Sequence, residues 1–78
     1  MANTASWTSV YKRINAKRTE AGLSWNELAK RAGIKTSTWM TGLPISHPTD
    51  EEVRKIAPVV NSTYAYLRYG ITDISELY

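Results

Sequence analysis

The sequence predicts an all-α domain, a compact five-helix bundle, on three observations. Apolar residues recur at helical spacing, as in Val10 and Ile14 or Val53, Ile56 and Val60. Helix start and stop signals punctuate the whole chain, with Ser24-x-x-Glu27 and Thr49-x-x-Glu52 as openings and Gly22, Gly33, Asn61 and Gly70 as ends. Strand signals are weak, because no stretch alternates apolar and polar residues and no Asn-Gly or Asp-Gly turn occurs.

The first helix is expected over residues 8–21, where Val10, Ile14 and Ala21, with Trp7 and Tyr11 beside them, fall on one side before Gly22 stops the run. Ser24 opens the second. Its hydroxyl serves a free backbone N–H and the Glu27 carboxylate reaches back, while Leu28, Ala29 and Ala32 form the buried stripe that Gly33 ends. A short third helix opens at Lys35 or Thr36 and cannot pass Leu43, because Pro44 lacks an N–H and disfavours helical geometry in the residue before it. Residues 42–48 read as a loop. Thr49 caps the fourth helix, whose first turn holds Asp50, Glu51 and Glu52 where the helix dipole favours negative charge. Val53, Ile56, Ala57 and Val60 make its apolar face, Pro58 is expected to kink or loosen its last turn, and Asn61 terminates it. Ser62 or Thr63 starts a fifth helix with Tyr64, Tyr66, Leu67 and Tyr69, ended by Gly70.

Seventy-eight residues make one domain, taken here as residues 1–70 followed by an apolar tail over 71–78. A chain this short has little stability to spare, and without cysteine it has no disulfide and no thiolate zinc site to brace it. The composition, 42% hydrophobic and 22% charged, fits an ordinary soluble domain and excludes a disordered one. No apolar run approaches the roughly 18 residues of a membrane span, and residues 1–5 lack the basic and apolar regions of a signal peptide, so the chain is expected to be cytoplasmic.

Charge is distributed unevenly. Residues 1–35 carry seven basic residues (Lys12, Arg13, Lys17, Arg18, Lys30, Arg31, Lys35) against Glu20 and Glu27, a balance of +5, whereas residues 36–78 balance at −2. One basic half suits a protein with one face toward a polyanion, although solvated helix faces give the same count.

The informative stretch runs from Gly22 to Ile34. Two short helices that cross steeply need a small residue at the crossing, supplied by Ala29, and a glycine in the tight turn, supplied by Gly33, with Ile34 as an apolar plug. This is the grammar of a helix-turn-helix, whose second helix lies in a DNA major groove. The pieces Gly22-Leu23-Ser24, Glu27-Leu28-Ala29, Gly33-Ile34, Lys55-Ile56-Ala57 and Tyr66-Leu67, with Gly70 behind, stand in order. In this the chain resembles the lambda-repressor-like (Cro/CI, XRE-type) family from about Val10 to Gly70. The resemblance implies a five-helix domain that binds double-stranded DNA, usually as a homodimer on a palindromic operator. It implies a phage-type or bacterial repressor, with no catalysis, no cofactor and no small-molecule substrate. The chain departs from the family at Trp25, where a glutamine is frequent, at Trp39, where isoleucine or valine is usual, and in the early Gly42.

Two registers of the third helix are open. With Trp39 buried, Thr36, Ser37, Met40 and Thr41 face the groove; with Met40 and Leu43 buried, Ser37, Thr38 and Thr41 face it. The base-reading candidates are therefore Thr36, Ser37, Thr38, Met40 and Thr41. This inventory lacks the Arg, Asn and Gln that pair with one base edge, so direct discrimination is expected to be modest, with serine and threonine accepting several bases and methionine touching the thymine methyl. Lys30, Arg31, Lys35 and Asn26, the last among the backbone N–H groups that open the second helix, are the phosphate candidates. Lys12, Arg13, Lys17 and Arg18 either flank the groove or are simply solvated.

His47 is either a phosphate contact or a plain loop residue, and Trp25 is either core or a stacking platform. Asp50, Glu51 and Glu52 are read as helix capping in preference to metal or acid–base chemistry. The tail, with Ile71, Ile74 and Leu77 three apart, folds back on its own core or, the reading preferred here, joins Leu67 in a dimer contact. The rival to a DNA-binding role is a protein-binding adaptor, such as an antirepressor, built on the same fold.

Overall fold

The computed structural model describes residues 7–41 and 46–71. They form α1 (Trp7–Ala21), α2 (Trp25–Ala32), a 3-10 turn (Thr38–Thr41), α3 (Asp50–Val59) and α4 (Tyr64–Tyr69). The fold is all-helical, and no strand occurs among the described residues.

The expected count of five α-helices is corrected to four among the described residues. The segment after Ile34 has no regular structure to Ser37 and then closes one tight turn, with the Met40 N–H donating to the Ser37 carbonyl at 3.0 Å. The physical reason lies in its residues. Four of the six residues from Thr36 to Thr41 are serine or threonine, whose hydroxyls compete for backbone groups. Thr41 does so here, its Oγ1 donating to the Thr38 carbonyl at 2.6 Å.

The local signals otherwise act where they stand. Ser24 and Thr49 both close complete capping boxes, with the Glu27 and Glu52 N–H groups donating to the hydroxyls at 3.1 Å and each carboxylate accepting from the cap backbone N–H at 3.0 Å. Thr63 caps α4 through the Tyr66 N–H at 3.1 Å. Gly33 takes φ +74°, and the Ile34 N–H returns to the Ala29 carbonyl at 3.0 Å. That closure ends α2 and aims the following segment away from its axis. Asn61 ends α3 in the left-handed region at φ +57°. Pro58 is exposed and α3 runs only one residue past it, so the missing N–H falls where the helix is already ending.

α3 packs against both α2 and α4, and α1 packs against α4. The core joins Val10 and Ile14 of α1, Leu28 and Ala29 of α2, Val53, Ile56 and Ala57 of α3 and Leu67 of α4, closed by Leu23 and Val60. Trp39 and Met40 enter the same core from the 3-10 turn. Truncating a residue such as Ile56 to alanine costs about 2–5 kcal/mol, a large part of what a domain this small holds in reserve.

Candidate nucleic-acid interface

The site is built from the first turn of α2 and the segment after Gly33. The capping box fixes the start of α2, which brings Trp25 and Asn26 beside the 3-10 turn. Together Trp25, Asn26, Thr36, Ser37, Thr38, Met40 and Thr41 line an open groove of about 490 Å³. The Glu27 carboxyl in the first turn of α2 is held under its ordinary pKa, first by the Ser24 backbone N–H and also by the Ser24 hydroxyl, Arg31 and Lys30, against a smaller opposing effect of desolvation.

Thr36, Ser37, Thr38 and Thr41 are all exposed. Ser37 and Thr41 are the two residues that both registers place outward, and outward is where they lie. Neither register holds as a whole, because Trp39 (3% exposed) and Met40 (4%) are buried together. Met40 is corrected as a projecting base reader: its side chain belongs to the core, and what remains of its surface is part of the groove floor. Two hydroxyls of the turn have internal partners, since Thr38 Oγ1 and Ser46 Oγ share a hydrogen bond at 2.7 Å and Thr41 Oγ1 donates its proton to Thr38. Thr41 is left able only to accept, which suits an amino group on a base edge.

The four phosphate candidates Asn26, Lys30, Arg31 and Lys35 are exposed, and the three cations carry no ion pair among the described residues. The cations of α1 differ. Arg18 donates from Nη1 to the Leu23 carbonyl at 2.6 Å and from Nη2 to Asn15 Oδ1 at 2.7 Å, and its guanidinium lies 4.6 Å over the Trp25 ring. Arg13 donates to the Leu67 and Arg68 carbonyls at 3.1 and 3.2 Å, tying α1 to the end of α4. Lys17 pairs with Glu20 at 3.7 Å and sits 5.4 Å over the Tyr66 ring. Of the four, Lys12 alone is exposed and the others are half-buried.

Trp25 is half-buried and forms a wall of the groove. Tyr11 stacks on it at 5.7 Å, and Trp39 meets it edge-on at 5.6 Å. The Arg18–Trp25 contact, which braces that wall, has no signature in the sequence, because the residues stand on different helices and their types promise nothing about each other. His47 is likewise more than a loop residue: its ring stacks on Trp7 at 4.0 Å and 8°, and Nδ1–H donates to the Pro48 carbonyl at 2.9 Å. Glu52 closes its cap, Asp50 accepts from Tyr64 at 3.0 Å and pairs with Arg68 at 3.4 Å, and Glu51 pairs with Lys55 at 3.3 Å. No three His, Cys, Asp or Glu side chains converge as metal ligands among the described residues. No helix among them is long and apolar enough to cross a membrane.

The dimer candidates divide. Leu67 is corrected: it is 0% exposed and fills the core between α1, α3 and α4, so it offers nothing to a second copy. Ile71 is 47% exposed. Ile74 and Leu77 lie outside the described residues, as do Gly42, Leu43, Pro44 and Ile45. Compared with known proteins, the chain matches no protein-family model, no curated protein and no solved structure.

Proposed function

We propose that this chain is a helix-turn-helix DNA-binding regulator of the lambda-repressor-like type. It acts as a phage-type or bacterial repressor by occupying an operator as a homodimer, without catalysis or cofactor. The observation that carries the reading is the outward row Thr36, Ser37, Thr38 and Thr41, set beside the start of α2 and preceded along the chain by the exposed cations Lys30, Arg31 and Lys35, which carry no ion pair among the described residues. Hydroxyls at a base edge and cations at the flanking backbone are the two kinds of contact such an interface needs. The capped start of α2 adds its exposed Asn26 to the phosphate side.

A titration of duplex DNA at rising salt tests this. Neutralising three or four phosphates per protomer gives a log–log slope of about −3 to −4 per protomer, since each contributes about −0.9. A slope near zero overturns the reading.

One observation favours a second reading, that of a protein-binding adaptor. The reading element is a single 3-10 turn in place of a helix, so it reaches less far into a groove. A pull-down that recovers one stoichiometric protein, with no duplex retained at low salt, decides for the adaptor.

A further inference from the structure

The three residues before the Thr49 cap are each held to a different part of the molecule. Ser46 Oγ shares a hydrogen bond at 2.7 Å with Oγ1 of Thr38, the first residue of the 3-10 turn. His47 lays its ring flat on that of Trp7, the first residue of α1, at 4.0 Å and 8°, with its Nδ1–H donated to the Pro48 carbonyl. Pro48 is fully buried. The Trp7 ring is fixed in turn. The Arg68 guanidinium lies 4.0 Å over it and pairs with Asp50 at 3.4 Å, so α1, α3 and α4 meet at this one stack.

We propose that residues 46–48 form a strap that positions the reading turn, with Ser46 and His47 as positioning residues that act through Thr38. The inference rests on the DNA-binding reading above. The turn needs a hold on its outer side. Trp39 and Met40 anchor its inner side in the core, but a 3-10 turn of four residues makes few and poorly aligned backbone bonds and does not keep its own shape. Of the outward hydroxyls at Thr36, Ser37, Thr38 and Thr41, only that of Thr38 bonds a residue outside the turn among the described residues. The far end of the strap is firm, because His47 is seated on a ring that the helices share and Pro48 is buried. A turn kept in the DNA-competent arrangement binds with its full affinity. One that holds this arrangement for a fraction of the time binds more weakly by that fraction.

A double-mutant cycle in the full chain tests this, read as affinity for the best duplex selected from a random-sequence pool. Ser46 and His47 are exposed, so their variants keep the core intact. Ser46→Ala is expected to weaken binding about two- to twelvefold, the equivalent of the roughly 0.5–1.5 kcal/mol that a hydrogen bond contributes. In a Thr38→Val background the same change is expected to add nothing, because its partner is already gone. His47→Ala is expected to weaken binding, and His47→Phe, which keeps a flat ring on Trp7 without the imidazole nitrogens, to restore it. Salt slopes stay at the wild-type value throughout. If Ser46→Ala binds as tightly as wild type, or weakens binding equally in both backgrounds, the strap is overturned and DNA binding stands. If His47→Phe binds as weakly as His47→Ala, the imidazole itself meets the DNA and the role of the stack is overturned. If wild type retains no duplex at low salt, DNA binding fails and the strap falls with it.

Discussion

Replacing Arg18 with alanine separates a structural cation from a DNA-contacting one. In the folded chain its guanidinium makes a charge-assisted hydrogen bond to the Leu23 carbonyl at 2.6 Å, bonds Asn15 at 2.7 Å and lies 4.6 Å over Trp25. A hydrogen bond from a charged group contributes about 1.5–3 kcal/mol, and a partly exposed cation–π contact about 0.5–1 kcal/mol. The Asn15 bond lies within one helix face and adds a few tenths of a kcal/mol at most. Arg18→Ala is therefore expected to destabilise by about 2–4 kcal/mol, and at about 4–8 °C per kcal/mol for a domain of this size the melting temperature falls by roughly 8–32 °C. Circular dichroism melts of wild type, Arg18→Ala and Arg18→Lys measure this. The lysine variant keeps the charge but loses the fork and is expected to fall between the other two. Duplex titrations well below the melting temperature supply the second readout, in which the salt slope of Arg18→Ala stays at the wild-type value. A melting temperature within 2 °C of wild type, with a slope about one unit shallower, would show that Arg18 is a solvated phosphate contact and refute the brace.

Other consequences follow from the same geometry. Gly33→Ala places a Cβ in open space but at φ +74°, so its whole cost is conformational, about 1–2 kcal/mol of stability in a urea melt; an unchanged midpoint refutes the turn. The Glu27 carboxyl is held below its ordinary value of 4.5, chiefly by the Ser24 backbone N–H. Its contribution is complete above that value and is lost as pH falls through the lower folded value, so Glu27→Gln is expected to flatten the acid limb of a stability–pH curve. Arg31→Ala is expected to weaken binding to all duplexes alike and to shallow the salt slope by about one unit, whereas Thr41→Ala changes the ranking of sites. Selection from a random pool compares them, and an unchanged ranking for Thr41→Ala contradicts its place at a base edge. Removing residues 71–78 is expected to shift mass toward monomer in analytical ultracentrifugation, and no shift removes the tail from the dimer.

What the sequence made legible was local. Both capping boxes, the left-handed ends at Gly33, Asn61 and Gly70, and most of the core faces of α1, α2 and α3 depend on residues within one or two turns of each other and stand as read; Ala21, expected on the core side of α1, is exposed, and Ala32 is only half-buried. The third helix did not, because its fate depends on whether the core draws in Trp39, Met40 or both, a decision made by α1, α2 and α3 together. Burying both residues leaves the outward positions to Thr36, Ser37, Thr38 and Thr41, so the candidate face was legible although its helix was not. Leu67 shows a related limit. An apolar residue near the end of a small domain suits a core or an interface equally well by spacing, and only the packing of α4 against α1 and α3 assigns it to the core. Arg13 and Arg18 were visible as charge and invisible as ties, because their carbonyl partners at Leu67, Arg68 and Leu23 carry no side-chain signal.

Amide chemical shifts of the labelled protein, followed while the best duplex from the random pool is added, bear most directly on where DNA lies. The largest changes are predicted at Trp25 and Asn26 and from Lys35 to Thr41, with smaller ones at Lys30 and Arg31. Changes concentrated instead on the outer faces of α1, α3 or α4, with the 35–41 segment silent, would contradict the assignment of that segment to the base edges.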